Sequence, residues 1–408
     1  MTRDVPSPAV MDYDPFSPEV LSRGEEYDRI ALAAGPVLYF PQYDLYALAR
    51  HDYVRSAFLD WRGFCSGHGT GIVHTGREGN WRRQSPVLEN DPPNHGRYRK
   101  ILANVLTGSA LAEVRTRFAP AADDLARAAV ERGTFDGQRD LAEAFPLVVV
   151  PSLLGLPEED REVMLLYSDL NFNAMGPDNA LRRAAEARAR EGDIAARVAM
   201  LCRRESLKPG GLGDRIYAEC AAVDMSDEDA AILVRTFFSA SMDTTANAVG
   251  FTLHALAQDP ALWARVREDP ALIRAAFDES LRHSAPSPHI GRTTTREILI
   301  DGVTIPAESK VLLMIGAADR DAQRYDDPDR FDIQRKAAPH LAFGAGIHAC
   351  IGQQLAKLEA ELILGALARY AGTLELAGTP TYQVNNWLRG FATLPIHAGP
   401  IRAGEQAA

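Results

Sequence analysis

The clearest long run of helically spaced apolar positions covers residues 226–258. Ser226-Asp227-Glu228-Asp229 opens it with an N-terminal capping box, and Asp259-Pro260 supplies the next stop. One helix of that length spans roughly 45–50 Å, enough to cross the whole molecule. A second apolar helical stretch, 353–370, directly follows a loop of small residues. A third helix carries Glu279-Ser280-Leu281-Arg282, with acid and base at i and i+3 on one face. Between these helices the pattern changes. Residues 297–305 read strand, Asp301-Gly302 turn, strand, and 310–315 read as another strand. The expected fold class is mainly α with a small β subdomain.

Composition narrows this picture. The chain has 408 residues, 46% of them hydrophobic, which is ample for a large core. Gly and Pro are spread evenly, and no linker, repeat or low-complexity run divides the chain, so residues 1–408 are expected to form a single domain. A net charge of −11 argues against general nucleic-acid binding. The first 22 residues are polar and rich in Pro and Asp, with no apolar core of a signal peptide. No stretch approaches the roughly 20 uncharged apolar residues of a membrane helix. The four cysteines, Cys65, Cys202, Cys220 and Cys350, form no C-x-x-C pair, and a reducing cytoplasm is the expected location.

Cys350 lies in the most informative segment, His340-Leu341-Ala342-Phe343-Gly344-Ala345-Gly346-Ile347-His348-Ala349-Cys350-Ile351-Gly352. Its glycines let backbone approach a flat cofactor closely. The following helix N-terminus favours an anionic sulfur. A lone Cys in a glycine-rich turn is more often structural, but the full order Phe-x-x-Gly-x-His-x-Cys-x-Gly resembles the haem-binding loop of cytochromes P450. That resemblance implies haem b, with Cys350 as the axial thiolate that favours O–O cleavage. It also implies a cytochrome P450 fold and a monooxygenase supplied with NAD(P)H electrons through an iron–sulfur ferredoxin and its reductase.

Other segments carry the same resemblance in the same chain order. Glu279 and Arg282 match the E-x-x-R signature, whose pair is buried near the haem. Arg330 and Arg335 are both candidates for its third member. Asp91-Pro92-Pro93-Asn94-His95-Gly96-Arg97-Tyr98-Arg99 resembles D-P-P-x-H-x-x-x-R, which directs His95 and Arg99 to the haem propionates. Arg292 and His348 match the propionate residues of the other side. Arg97 and Lys100 make this segment locally cationic, suited to an acidic ferredoxin. Ala240-Ser241-Met242-Asp243-Thr244-Thr245 resembles the oxygen-activating motif, with Thr244 steadying a water and Asp243 relaying protons. Ser241 replaces the usual Gly of the groove, and Ser can bend a helix by bonding a carbonyl one turn back.

The resemblance is closest to bacterial P450s that oxidise para-substituted benzoic acids, the 4-methoxybenzoate O-demethylase type. It implies that Arg82, Ser85, Arg235 and Thr236 hold a substrate carboxylate. Thr236, Ala240 and Thr244 fall at i, i+4 and i+8, so about 12 Å separates the anchor from the oxygen site. Leu88 and Phe172 match apolar ring contacts, and Met175 replaces a Phe. Ser287-Pro288-His289-Ile290-Gly291 replaces a bulkier run, so a wider pocket is expected, with Gly291 removing a side chain near the haem and His289 as a polar contact or ordinary packing. The alternatives are a phenolic or larger apolar substrate, a peroxygenase or isomerase on the same fold, and a non-catalytic haem-thiolate sensor. The intact Asp243-Thr244 pair favours the monooxygenase.

Overall fold

Helical periodicity and capping produce the larger part of the chain in a computed structural model that describes residues 7–75, 84–157, 160–335 and 339–401. The helices that build the site are α1 (Asn94–Val105), α2 (Gly108–Arg132), α3 (Arg161–Asn173), α4 (Asp227–Ser241), α5 (Asp243–Gln258), α6 (Leu272–Ser284) and α7 (Gln353–Tyr370). Ser226 caps α4 as expected: its hydroxyl accepts from the Asp229 N–H while the Asp229 carboxylate reaches back to the Ser226 N–H. The core is the apolar stripe of α7 packed on α2, α5 and α6, with Leu355, Leu358, Leu362 and Ile363 buried.

One expectation is corrected. Residues 226–258 do not form an unbroken helix: α4 ends at Ser241, Met242 adopts φ −83° and ψ −71°, and α5 starts at Asp243. The cause is local. The Ser241 hydroxyl donates to the Phe237 carbonyl at 2.6 Å, and the Thr244 hydroxyl donates to the Ala240 carbonyl at 2.8 Å. Two hydroxyls competing for carbonyls one turn back bend the helix, although no Gly or Pro stands there.

The β part is mainly one six-stranded sheet, ordered Ala9–Val10, Val37–Phe40, Leu45–Leu48, Lys310–Leu313, Ile290–Thr294 and Phe64–Cys65. Gly291 pairs with Leu312 and Arg292 with Val311. The separate hairpin Ile298–Ile300 and Val303–Ile305 turns through Asp301 and Gly302, both at positive φ, as the Asp-Gly pair requires. The strand expected at 310–315 stops at Leu313, and Ile315–Ala318 forms a short helix.

Candidate active site

The thiolate loop is held from below by a buried ionic knot. Arg282 and Glu279 have 0% and 1% side-chain exposure and pair at 2.8 Å across one turn of α6. Arg282 also donates to the carbonyls of Asp319 and Pro328 at 3.0 and 2.9 Å. The third member is Arg335, whose Nε lies 3.3 Å from Glu279 Oε1. Arg330 is 63% exposed and pairs with Asp332, contributing only its backbone carbonyl to the knot. Asp319 then accepts the Leu341 N–H on both carboxylate oxygens, at 2.8 and 3.0 Å, which fixes the start of the loop. Burial pushes Asp319 up to about 6.

Within the loop the Cys350 N–H donates to the Phe343 carbonyl at 2.8 Å. Gly346 sits at φ +69°, and a Cβ there would come within 2.8 Å of the Phe58 carbonyl, so only glycine fits. Cys350 opens on a cavity of about 270 Å³ while lying deep in the protein. That burial raises its thiol pKa, and the Gly352 and Gln353 N–H groups at the start of α7 oppose the rise, with Arg99.

Arg99, Arg292 and His348 line the same cavity. Arg99 donates to the Ala349 carbonyl at 2.7 Å, tying α1 to the loop. Arg292 is fully buried, and among the described residues no carboxylate lies within ion-pair distance of it. Burial lowers its pKa to about 10, which still leaves it cationic at neutral pH. The His95 and His348 rings stand 4.4 Å apart. His95 Nε2 is buried without a hydrogen-bond partner, and His348 Nε2 lies 3.6 Å from Asp91 Oδ1. Burial, followed by the neighbouring His348 and Arg99, lowers His95 to about 4. Arginines without a carboxylate partner and the orphaned His95 nitrogen around an inward-facing thiol fit a flat metallo-cofactor bearing carboxylates, as haem does.

The opposite side of the cavity is α4 and α5. Arg235, Thr236, Ala240, Ser241, Thr244 and Thr245 line it. Thr236 Oγ1 and Ser85 Oγ lie 3.4 Å apart. Leu88, Phe172 and Met175 supply apolar wall, as expected, together with Ile290 and Trp387. Arg82, the remaining expected anchor, lies outside the described residues. Asp243 does not line the cavity. It faces α3, where burial raises its pKa to about 7, the Ser168 hydroxyl opposes the rise, and Glu143 and Asp169 add to it.

One expectation about the wall is corrected, and one alternative left open is decided. Gly291 does not widen the cavity. A Cβ there would lie 2.5 Å from the Gly71 carbonyl and 2.8 Å from that of Thr70, and the Gly291 N–H donates to Thr70 O at 2.7 Å. His289 is no cavity contact either. It is a core residue, 4.5 Å from Trp387 and 5.7 Å from Phe16 between ring centroids, and its Nε2 lies 3.3 Å from the Asn386 carbonyl. The pleat explains both: Ile290 and Arg292 face the cavity, so 289 and 291 face away.

Sequence reasoning missed Glu359, which also lines the cavity. Its signal was a single acid among the buried leucines of α7.

Comparisons with known proteins agree with this geometry. The family profile "Cytochrome P450" matches residues 164–371. Cytochrome p450 CYP199A2 of Rhodopseudomonas palustris is 42% identical over 388 residues, covering 95% of this chain and 94% of that one. Vitamin D(3) 25-hydroxylase of Pseudonocardia autotrophica is 30% identical, covering 92% and 91%. Among solved structures, CYP109Q5 from Chondromyces apiculatus superposes with a TM-score of 0.79 at 27% identity, over 97% of this chain and all of that one. Cytochrome P450 CREJ shares the fold at a TM-score of 0.85 and 24% identity, covering 95% of this chain and 99% of that one. With a cysteine facing the cavity above the Glu279–Arg282–Arg335 knot and a broken helix opposite, the chain belongs to the cytochrome P450 family and is a haem-thiolate monooxygenase.

Proposed function

We propose that this enzyme binds a small aromatic carboxylic acid by its acid group and oxidises the para substituent, with O-demethylation of 4-methoxybenzoate-like substrates as its reaction. The carrying observation is the polarity of one cavity wall: Arg235 and the Ser85–Thr236 hydroxyl pair at the α4 end, Thr244 past the break on α5. A desolvated carboxylate needs a cation and donors at one end only. Leu88 and Phe172 give the aromatic ring an apolar wall. His289 lies outside the cavity, which removes the polar contact that would favour a phenol.

Haem, when bound, would take Cys350 at its iron and His95, Arg99, Arg292 and His348 at its propionates, and it supplies the reduction of dioxygen. The chain's own residues do the rest. Thr244 presents a hydroxyl to the cavity and Asp243 holds a proton on the far side of α5. The reaction converts Ar–O–CH3, O2, two electrons and two protons into Ar–OH, formaldehyde and water. Electrons come from NAD(P)H through a ferredoxin and its reductase. Arg97 and Lys100 are exposed on α1, beside the propionate residues, where an acidic ferredoxin would dock. No described helix is long and apolar enough to cross a membrane.

A spectral titration tests the reading. 4-Methoxybenzoate should shift the haem from low to high spin and yield formaldehyde with a ferredoxin system. Its methyl ester should bind about tenfold more weakly, since buried donors lose a charged acceptor. Equal binding of acid and ester would overturn the carboxylate anchor.

A further inference from the structure

Two stretches of loop, residues 66–75 and 84–90, reach the cavity with Thr70 and Ser85, and one carboxylate joins them. Glu89 is 2% exposed. Its Oε1 accepts the Thr70 N–H at 3.0 Å and the Thr70 hydroxyl at 3.1 Å, and its Oε2 accepts the Ser85 N–H at 3.0 Å. The loop around Thr70 is itself fastened to the sheet. The Thr70 carbonyl accepts the Gly291 N–H at 2.7 Å. The buried Lys310 ammonium donates to the carbonyls of His68, Gly69 and Gly71 at 3.1, 2.9 and 3.1 Å. Sheet, loop, Glu89 and Ser85 thus form one chain of hydrogen bonds that ends at a side chain of the cavity.

The Ser85 hydroxyl is also oriented. Its oxygen accepts the Leu88 N–H at 3.2 Å, which occupies one lone pair and leaves the O–H proton free to donate. Thr236 Oγ1, at 3.4 Å, is too far for a good O–H···O bond. An anionic oxygen seated between the two hydroxyls is the better acceptor. A donor aimed before the ligand arrives loses less freedom on binding.

We propose that Glu89 is a positioning residue for substrate recognition: tied to the sheet through Thr70, its carboxylate fixes the Ser85 N–H and so aims the Ser85 hydroxyl at the acid group of the substrate. The role rests on the carboxylate reading of the cavity. A carboxylate suits the place because both of its oxygens only accept. A glutamine that kept its oxygen on the two Thr70 donors would turn its NH2 against the Ser85 N–H and displace it. Charge acts the other way. Glu89 and a substrate carboxylate are like charges, so a bystander Glu89 would weaken acid binding and its neutralisation would strengthen it. Position and charge therefore predict opposite signs for the same substitution.

Spectral titration of the haem-loaded enzyme with 4-methoxybenzoate and its methyl ester reads that sign. Glu89→Gln should weaken binding of the acid about fivefold and leave the ester within about twofold. Ser85→Ala should weaken the acid to a similar degree. The double variant should bind it no worse than Ser85→Ala alone, because the glutamate acts through that serine. Tighter or unchanged acid binding in Glu89→Gln would overturn the proposal, as would losses that multiply in the double variant or an equal loss for acid and ester. Thr70→Val cuts a single bond of the bridge and decides the matter if Glu89→Gln does not fold. It should weaken the acid about threefold with the ester unaffected, and no such difference would overturn the proposal. If the wild type binds acid and ester alike, the carboxylate reading itself has failed. If the wild type discriminates and the variants discriminate equally well, only the role of Glu89 has failed.

Discussion

The Ser241 hydroxyl donates to the Phe237 carbonyl at 2.6 Å, directly before the backbone breaks at Met242. A side-chain bond to a carbonyl one turn back thus stands at the bend where the family motif has a glycine. Thr244 holds a second carbonyl, that of Ala240, at 2.8 Å. Ser241→Gly should therefore keep coupling close to wild type. Thr244→Ala should still bind substrate and consume reductant, but release peroxide in place of most of the product. Coupled turnover in Thr244→Ala would hand the hydroxyl's role to Ser241 or a water.

The ionic knot separates two arginines that look alike in sequence. Arg335→Ala leaves Glu279 short of a buried partner and should cost about 3 kcal/mol, the range for breaking a buried pair. Arg330→Ala removes an exposed charge and should stay within about 0.5 kcal/mol. Urea unfolding of the two variants measures both.

Asp243 sets a pH dependence with a definite sign. Burial raises its folded-state pKa from 3.8 to about 7, so the folded chain retains the proton longer than the unfolded one. The stabilising share is complete below the unfolded value and is lost as pH climbs through about 7. Asp243→Asn should flatten that part of the stability curve, read as urea midpoints across the interval. A parallel curve for the variant would show that Asp243 is ionised throughout.

Axial ligation has a spectroscopic signature. The reduced wild-type protein with carbon monoxide should show the red-shifted Soret band of a thiolate ligand, and Cys350→His should lose it. Retention of that band in the variant would move the ligand elsewhere.

The carboxylate anchor is tested residue by residue. Thr236→Val keeps the shape and removes the hydroxyl that faces Ser85, and it should weaken 4-methoxybenzoate binding by roughly 1–2 kcal/mol while leaving its methyl ester nearly unaffected. Equal losses for acid and ester would point to packing instead of recognition.

The sequence made some of this architecture legible and concealed the rest for physical reasons. Glu279 and Arg282 are one helical turn apart, and the Cys350 loop is contiguous, so their chemistry is written locally. Arg335 and Arg330 differ only in how 328–335 folds back over Glu279, which no spacing reveals. The break at Met242 arises from two hydroxyls choosing backbone carbonyls, a competition that residue identity leaves open. Gly291 was misplaced, and His289 was left open between cavity and core, because one step of strand pleat decides which side of a sheet faces the cavity.

The knot beneath Cys350 also governs how this enzyme fails. Its charges come from α6 and from a segment about fifty residues later, and each is tolerable in the interior only while the others are present. Half-assembled versions are therefore disfavoured, and Asp319 links the knot directly to Leu341 at the head of the thiolate loop. Heating should leave the haem environment intact until the knot parts and then release it within a narrow temperature interval, so that the Soret spectrum and helix content are lost together.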